Sequence, residues 1–221
     1  MKATHDLKLP SLTVLLVMLS VAAVHCENRS NFALLFSGGA NYGCLVPKEP
    51  VDGVSGASKW GGNGSVHAEI GIAGHFVETG LDYSYFKNDV TYKDTDKSIE
   101  GTRSFAVQNI AIPIMYNFHF FKRESGDPNL IAGIGLLASY SPYRVVGETG
   151  TLPDYSSNNW ALGPCLRIGF YPLEIEGKYY PGLYLGLFRS ISRFYTDDYY
   201  KGKETGVWGI FDIGISLRMK L

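Results

Sequence analysis

Cysteine is scarce in this chain: three among 221 residues are too few for a disulfide scaffold. No charge of one sign dominates, since 20 Lys and Arg stand against 21 Asp and Glu for a formal net charge of −1. Such a balance carries no basic field to draw nucleic acid. Beyond residue 30 no apolar run approaches the about 18 residues that a spanning helix needs. HExxH, CxxC and phosphate-cradling glycine motifs are missing, and Gly38-Gly39 and Gly61-Gly62 lack the helix that a phosphate loop requires. The reading is therefore no cofactor, no metal and no catalytic residue. What the chain has is glycine (26), tyrosine (15) and phenylalanine (12), within 45% hydrophobic residues. The apolar content excludes disorder, and glycine with aromatics favours a turn-rich β protein over a helical bundle.

Residues 1–26 read as an address. Lys2 and Lys8 give a positive start that Asp6 dilutes, and the apolar stretch Ser11–Val24 follows. That stretch is too short to cross ~30 Å of hydrocarbon. Ser20, Ala22 and Ala23 offer cleavage sites, so a cleaved signal peptide over 1–26 and a barrel domain over 27–221 are expected. Cys26 would suit lipid attachment, but His25 stands where a small residue is needed. Cys44 and Cys165 are expected to be free, on strands that are not neighbours.

The remainder alternates with the strand period of two. The segments are 31–46, 65–74, 77–88, 103–118, 129–141, 158–170, 173–187 and 207–221. In the last, Val207, Phe211, Ile213, Ile215, Leu217 and Met219 share one face, while Asp212, Ser216, Arg218 and Lys220 share the other. Each segment exceeds the ~5–6 residues of a soluble strand and suits the about 9–11 of a membrane-spanning one. Links alternate in length: 47–64, 89–102, 142–157 and 188–206 are long and polar, whereas Gly74-His75-Phe76, 119–128 and Tyr171-Pro172 are shorter. Long loops on one side and short turns on the other mark an outer-membrane barrel. The expected fold is an all-β, eight-stranded antiparallel up-and-down transmembrane β-barrel with both ends periplasmic.

A secreted soluble ligand-binding barrel would turn the oily face inward. The oily faces carry aromatics near their ends (Phe32, Tyr42, Tyr85, Phe118, Trp160, Phe170), as membrane interfaces favour. The opposite faces carry Glu69, Glu78, Asp82, Arg167, Glu174, Glu176, Lys178, Asp212, Arg218 and Lys220. An eight-stranded interior is just wide enough for side chains to fill, so these ten are expected to form a lumen charge network that closes the channel.

Asn109–Phe118, followed by Asn129–Leu137, resembles the outer-membrane β-barrel family of Bacteroidota that includes PorT-like proteins, in which an Ile-Pro strand precedes one with an Ala-Gly core. Gly163–Gly169 and Leu173–Tyr179 are similar to that family's next hairpin. The resemblance spans roughly 31–221 and implies the barrel fold in a functionally mixed family. Partners follow from that location: outer-membrane lipid and lipopolysaccharide, the barrel-assembly machinery during insertion, and an envelope or surface protein, with the chain itself a monomer.

Chemistry is sparse. His67 is expected in the lumen near Glu69, as part of a hydrogen-bond network rather than an acid–base pair, and His75 and His119 in or beside turns. A lipid A-modifying enzyme, deacylase or acyltransferase, would need an activated nucleophile at the rim. Ser141, Ser156, Ser157, Ser190 and Ser192 lie there without a histidine partner in sequence. Arg189 and Arg193 are candidate contacts for lipopolysaccharide phosphates, since arginine meets phosphate with a fork of donors. The expected role is non-enzymatic: structural, or interaction through the outer loops. A soluble barrel stays monodisperse in plain buffer. This chain is expected to fractionate with membranes, need detergent, and migrate faster on gels unheated than boiled.

Overall fold

The computed structural model describes residues 32–46, 53–72, 74–96, 98–153, 155–157, 159–191, 195–197 and 207–221. The expected signal peptide, Cys26, Ser192 and Arg193 lie outside the described residues. Eleven strands run in order: β1 Phe32–Val46, β2 Val54–Ile72, β3 His75–Asp94, β4 Ile99–Lys122, β5 Pro128–Tyr140, β6 Tyr143–Thr151, β7 Tyr155–Ser157, β8 Trp160–Phe170, β9 Tyr179–Arg189, β10 Tyr195–Asp197 and β11 Val207–Lys220. Eight of them close a ring, β1-β2-β3-β4-β5-β8-β9-β11, with every neighbour antiparallel. The seam is the β1–β11 pairing, from Ala33↔Lys220 to Val46↔Val207. β6 prolongs β5 beyond a break at Ser141 and Pro142 and follows the outer length of β4. β7 and β10 pair with each other in a separate two-stranded sheet.

Alternation sets the faces. Along β8, Trp160, Leu162, Leu166, Ile168 and Phe170 point out, while Ala161, Gly163, Cys165, Arg167 and Gly169 point in. Ile114 is 62% and Ile215 70% exposed, whereas Glu69 and Glu78 are each 1% exposed. That inversion excludes the soluble ligand-binding barrel: a continuous belt of bare aliphatic side chains suits acyl tails, not water. Aromatics flank the belt, with Tyr42 and Trp60 (5.4 Å) and Tyr140 and Trp160 (5.0 Å) at the loop end, and Tyr116 against Phe118 (4.9 Å) at the turn end. The eleven residues of β8, tilted about 40°, span roughly 25 Å of membrane.

Two sequence expectations change. The strands overrun the expected loops: β2 starts at Val54, β3 reaches Asp94 and β4 starts at Ile99, so 89–102 is a hairpin rather than a charged link. Its inward residues Phe86, Val90, Tyr92, Phe105 and Val107 pack with Val54, Ile99, Tyr143, Val145 and Leu152. With β6 they build a four-stranded protrusion, β2-β3-β4-β6, beyond the aromatic belt. The β3 charges Lys87, Asp89 and Lys93 fall on alternate, outward positions, which in sequence look like a solvated loop, while Arg103 of β4 faces inward and pairs with Glu148.

The second correction concerns 173–187. β9 begins only at Tyr179, because Glu176 (φ 54°) and Gly177 (φ 65°) turn the chain and Ile175 bridges back to Tyr179. Glu174, Glu176 and Lys178 are therefore exposed turn residues, not lumen charges. The alternation Leu173-Glu174-Ile175-Glu176 imitates a strand, while the true turn signal is Gly177, whose positive φ costs it little.

The outward aliphatic belt makes a graded prediction. Ile114→Arg, near the middle of the belt, should cost about 2–4 kcal/mol of unfolding free energy, while Thr102→Arg on the same face of β4 beyond the belt should cost about 0–1 kcal/mol. Urea unfolding of the barrel refolded into vesicles measures both.

Candidate functional site: the buried ion network and the loop-end rim

The interior divides into two layers. At the loop end it is mainly apolar, with Phe86, Val107, Ala111, Met115, Leu137, Ala161, Cys165, Phe188 and Ile210 packed around a few buried polar side chains such as Asn41 and Asn109. Toward the turn end it is ionic. The β2–β3 register puts Glu69 directly opposite Glu78, both pointing inward. Two facing carboxylates repel, and burial sharpens the repulsion. Each is compensated from the far wall and from β4. Glu78 accepts from Arg167 (2.9 Å), lies 2.5 Å from His67 Nδ1, and accepts from Asn117 (2.7 Å). Glu69 accepts from Arg218 (3.1 Å) and Asn117 (2.7 Å), and lies 3.0 Å from His119 Nε2. One amide nitrogen, Asn117 Nδ2, thus bridges both carboxylates. Arg167 also touches Ser37 Oγ and His67 Nδ1.

Asp82 meets His67 Nε2 at 2.8 Å, so both ring nitrogens of His67 face carboxylates. The ring fits because Gly80 stands across from it; a Cβ there would collide with His67. Asp212 accepts from Asn63 (2.6 Å), whose carbonyl accepts from Tyr184 (2.6 Å), and Arg167 lies over the Tyr184 ring at 5.1 Å.

A second cluster of charges lies at the turn end. Asp127 accepts from Tyr180 Oη (2.8 Å) and Lys220 Nζ (3.1 Å) and lies 3.6 Å from Arg218. Arg123 donates to the carbonyl oxygens of Tyr171, Leu173 (3.3 Å) and Pro128 (3.4 Å) and covers the Tyr180 ring, tying two turns together. Partial burial works to raise the Asp127 carboxyl, but the hydrogen bonds from Lys220 and Tyr180 and the nearby cations outweigh it and hold the group below its ordinary value.

Of the ten expected lumen charges, Glu69, Glu78, Asp82, Arg167, Asp212, Arg218 and Lys220 sit inward on ring strands, and the three turn residues named above do not. Sequence reasoning missed Asn117 as a bridge, His119, Asp127, Arg123 and Tyr180. His119 was expected at a turn, but β4 runs on to Lys122 and points it inward, stacked on Phe76 at 3.7 Å. Its even spacing from Ala111 and Asn117 was the available signal. Asp127 and Arg123 lie in the turn between β4 and β5, where no periodicity operates.

Ser141 is buried and donates to Asn109 (2.7 Å), and Ser190 is buried too. Of the described histidines, His75 pairs with Tyr116 at the turn end, and His67 and His119 are committed to carboxylates. Cys44 and Cys165 are both free. Among the described residues no group of His, Cys, Asp and Glu has the geometry of a metal site. At the rim, Arg189 is exposed on the outward face of β9, one outward position beyond Leu187.

Comparison with known proteins agrees with this geometry. Residues 25–184 match the family described as outer membrane protein beta-barrel domain. The chain belongs to that family, and its location is the outer membrane. No curated protein matches the chain. Among solved structures, it is similar to the outer membrane protein OprG from Pseudomonas aeruginosa (TM-score 0.48, 10% identity, covering 87% of this chain and 98% of that one). It is also similar to Neisserial surface protein A (TM-score 0.45, 14% identity, 86% and 97% covered). A third is Ail, the attachment invasion locus protein of Yersinia pestis, solved with the heparin analogue sucrose octasulfate (TM-score 0.39, 10% identity, 86% and 99% covered).

Two predictions follow from the network and the turn-end cluster. Glu78→Gln leaves Arg167 buried beside a neutral partner and should cost about 3–5 kcal/mol in equilibrium unfolding. A depressed carboxyl stabilises the fold above its ordinary range and loses that contribution as pH falls through its lower folded value. The stability gap between the wild type and Asp127→Asn should therefore hold between roughly pH 6 and 8 and close below about pH 4; denaturant midpoints against pH measure it.

Proposed function

We propose that this chain is a non-enzymatic outer-membrane barrel with a closed lumen, acting structurally or through its surface as a component of an envelope or secretion complex. The observation that carries the reading is the four-stranded protrusion, which raises β2, β3, β4 and β6 beyond the aromatic belt as a ready-made contact surface. The closed lumen is supported by the apolar layer, by the Glu69–Glu78 network and by the Asp127 cluster. The non-enzymatic reading is supported by Ser141, which is buried and donates to Asn109, and by the described histidines, His67, His75 and His119, which all have other partners. PorT-like kinship within Bacteroidota is supported by the strands Asn109–Phe118 and Asn129–Leu137. A signal peptide over 1–26 would export the chain, the barrel-assembly machinery would insert it as a monomer, and Arg189, with Arg193, would meet lipopolysaccharide phosphates at the rim.

Planar-bilayer recording and lipid A mass analysis test this reading together. The purified barrel should give no stable open-channel steps, and a deletion strain should keep an unaltered lipid A profile. Solute-sized conductance would refute the closed lumen, and a changed acylation pattern would establish the lipid A-modifying alternative instead.

A further inference from the structure

The outward face of β3, β4 and the β5–β6 strand changes chemistry row by row. The ladder aligns Tyr83, Ile110 and Tyr140 in one row, and Tyr85 with Gln108 in the next outward row. Above that, Lys87 pairs with Ala106, and Ala106 pairs with Arg144. Aliphatic side chains thus give way to phenol rings, then an amide, then two cations, within three outward positions of each strand. That is the order in which acyl tail, interface and headgroup follow one another in a leaflet.

Lys87 and Arg144 are both exposed, and neither forms an ion pair among the described residues. The acid one row further out, Asp89, pairs with Lys59 at 2.6 Å, though it also feels the charge of Lys87. On the other side of the protrusion, Glu148 is taken by Arg103 at 2.6 Å. The two cations stand two strand spacings apart, about 9 to 10 Å, with only the methyl group of Ala106 between them. A small residue flanked by two long cationic ones leaves a notch in which an anion meets an ammonium on one side and a guanidinium fork on the other.

We infer that Lys87 and Arg144, across Ala106, form a binding site for a phosphate group on an outer-leaflet lipid headgroup. The inference rests on the reading that the loop end faces outward. Its ligand is a phosphorylated lipid rather than free phosphate, because the notch opens just above Tyr83, Tyr85 and Tyr140, where an attached acyl chain enters the belt. It is separate from Arg189, which projects from β9 with β8 and β5 between it and the β4–β6 pair.

The test uses the full barrel in zwitterionic detergent, with retention of diphosphoryl lipid A read by native mass spectrometry. Wild-type protein should hold diphosphoryl lipid A at least about tenfold more tightly than its dephosphorylated form. Lys87→Ala with Arg144→Ala should lose about tenfold in affinity, and Lys87→Arg with Arg144→Lys should restore it. Should the double alanine variant fail the heat-modifiability check, Ala106→Glu fills the notch with a carboxylate and should cause the same loss. Equal binding by wild-type and double alanine protein overturns the site. Displacement of the lipid by equimolar inorganic phosphate overturns the lipid as its ligand. A conducting or lipid A-modifying barrel that still retains the lipid through these two residues would fail the functional reading and leave this one intact.

Discussion

An unpaired backbone N–H or C=O in hydrocarbon costs several kcal/mol, since no water is present to take the hydrogen bond. A sheet in the membrane therefore has to close on itself. Here the closing contact is the seam between β1 and β11, which runs from Ala33↔Lys220 to Val46↔Val207. Every other feature presupposes it. Once the ring is closed, alternation along each strand sorts side chains into lipid-facing and interior sets without further instruction.

Closure also creates the electrostatic problem that the interior solves. Glu69 and Glu78 are brought face to face by register, and Arg167, Arg218, His67, His119 and Asn117 converge on them from β8, β11, β2 and β4. Buried pairs of this kind contribute little net stability relative to an apolar core, but losing one partner is expensive. The network is sensitive to register: a one-residue slip of β3 against β2 would send Glu78 toward lipid and leave Arg167 without its carboxylate. Above it, the apolar layer packs like an ordinary core, and the same inward set continues into the protrusion.

Much of the fold was legible because the relevant signal is periodic. Trp160, Leu162, Leu166, Ile168 and Phe170 read as one face in the sequence and are one face in the structure. The β3–β4 hairpin was harder. Asp89, Lys93 and Asp94 look like a polar link because charge density hides the alternation of Val90 and Tyr92 beneath it. At 173–178 the error ran the other way, since a turn with alternating Leu, Glu, Ile and Glu mimics a strand. Of the network, the carboxylates and arginines on strands were readable as inward. Asp127, Arg123 and the bridging role of Asn117 were not.

By itself the sequence determined which residues lie on strands that alternate, that their oily face is continuous, and that charges sit opposite it. Those are local properties, carried by a period of two. Tertiary structure alone decided which carboxylate meets which arginine, that the loop-end interior is mainly apolar, and that Lys87 and Arg144 share a row across Ala106. These depend on the stagger of strands distant in the chain, which is set by closure of the ring and by packing inside it, and no periodicity within a single segment encodes it.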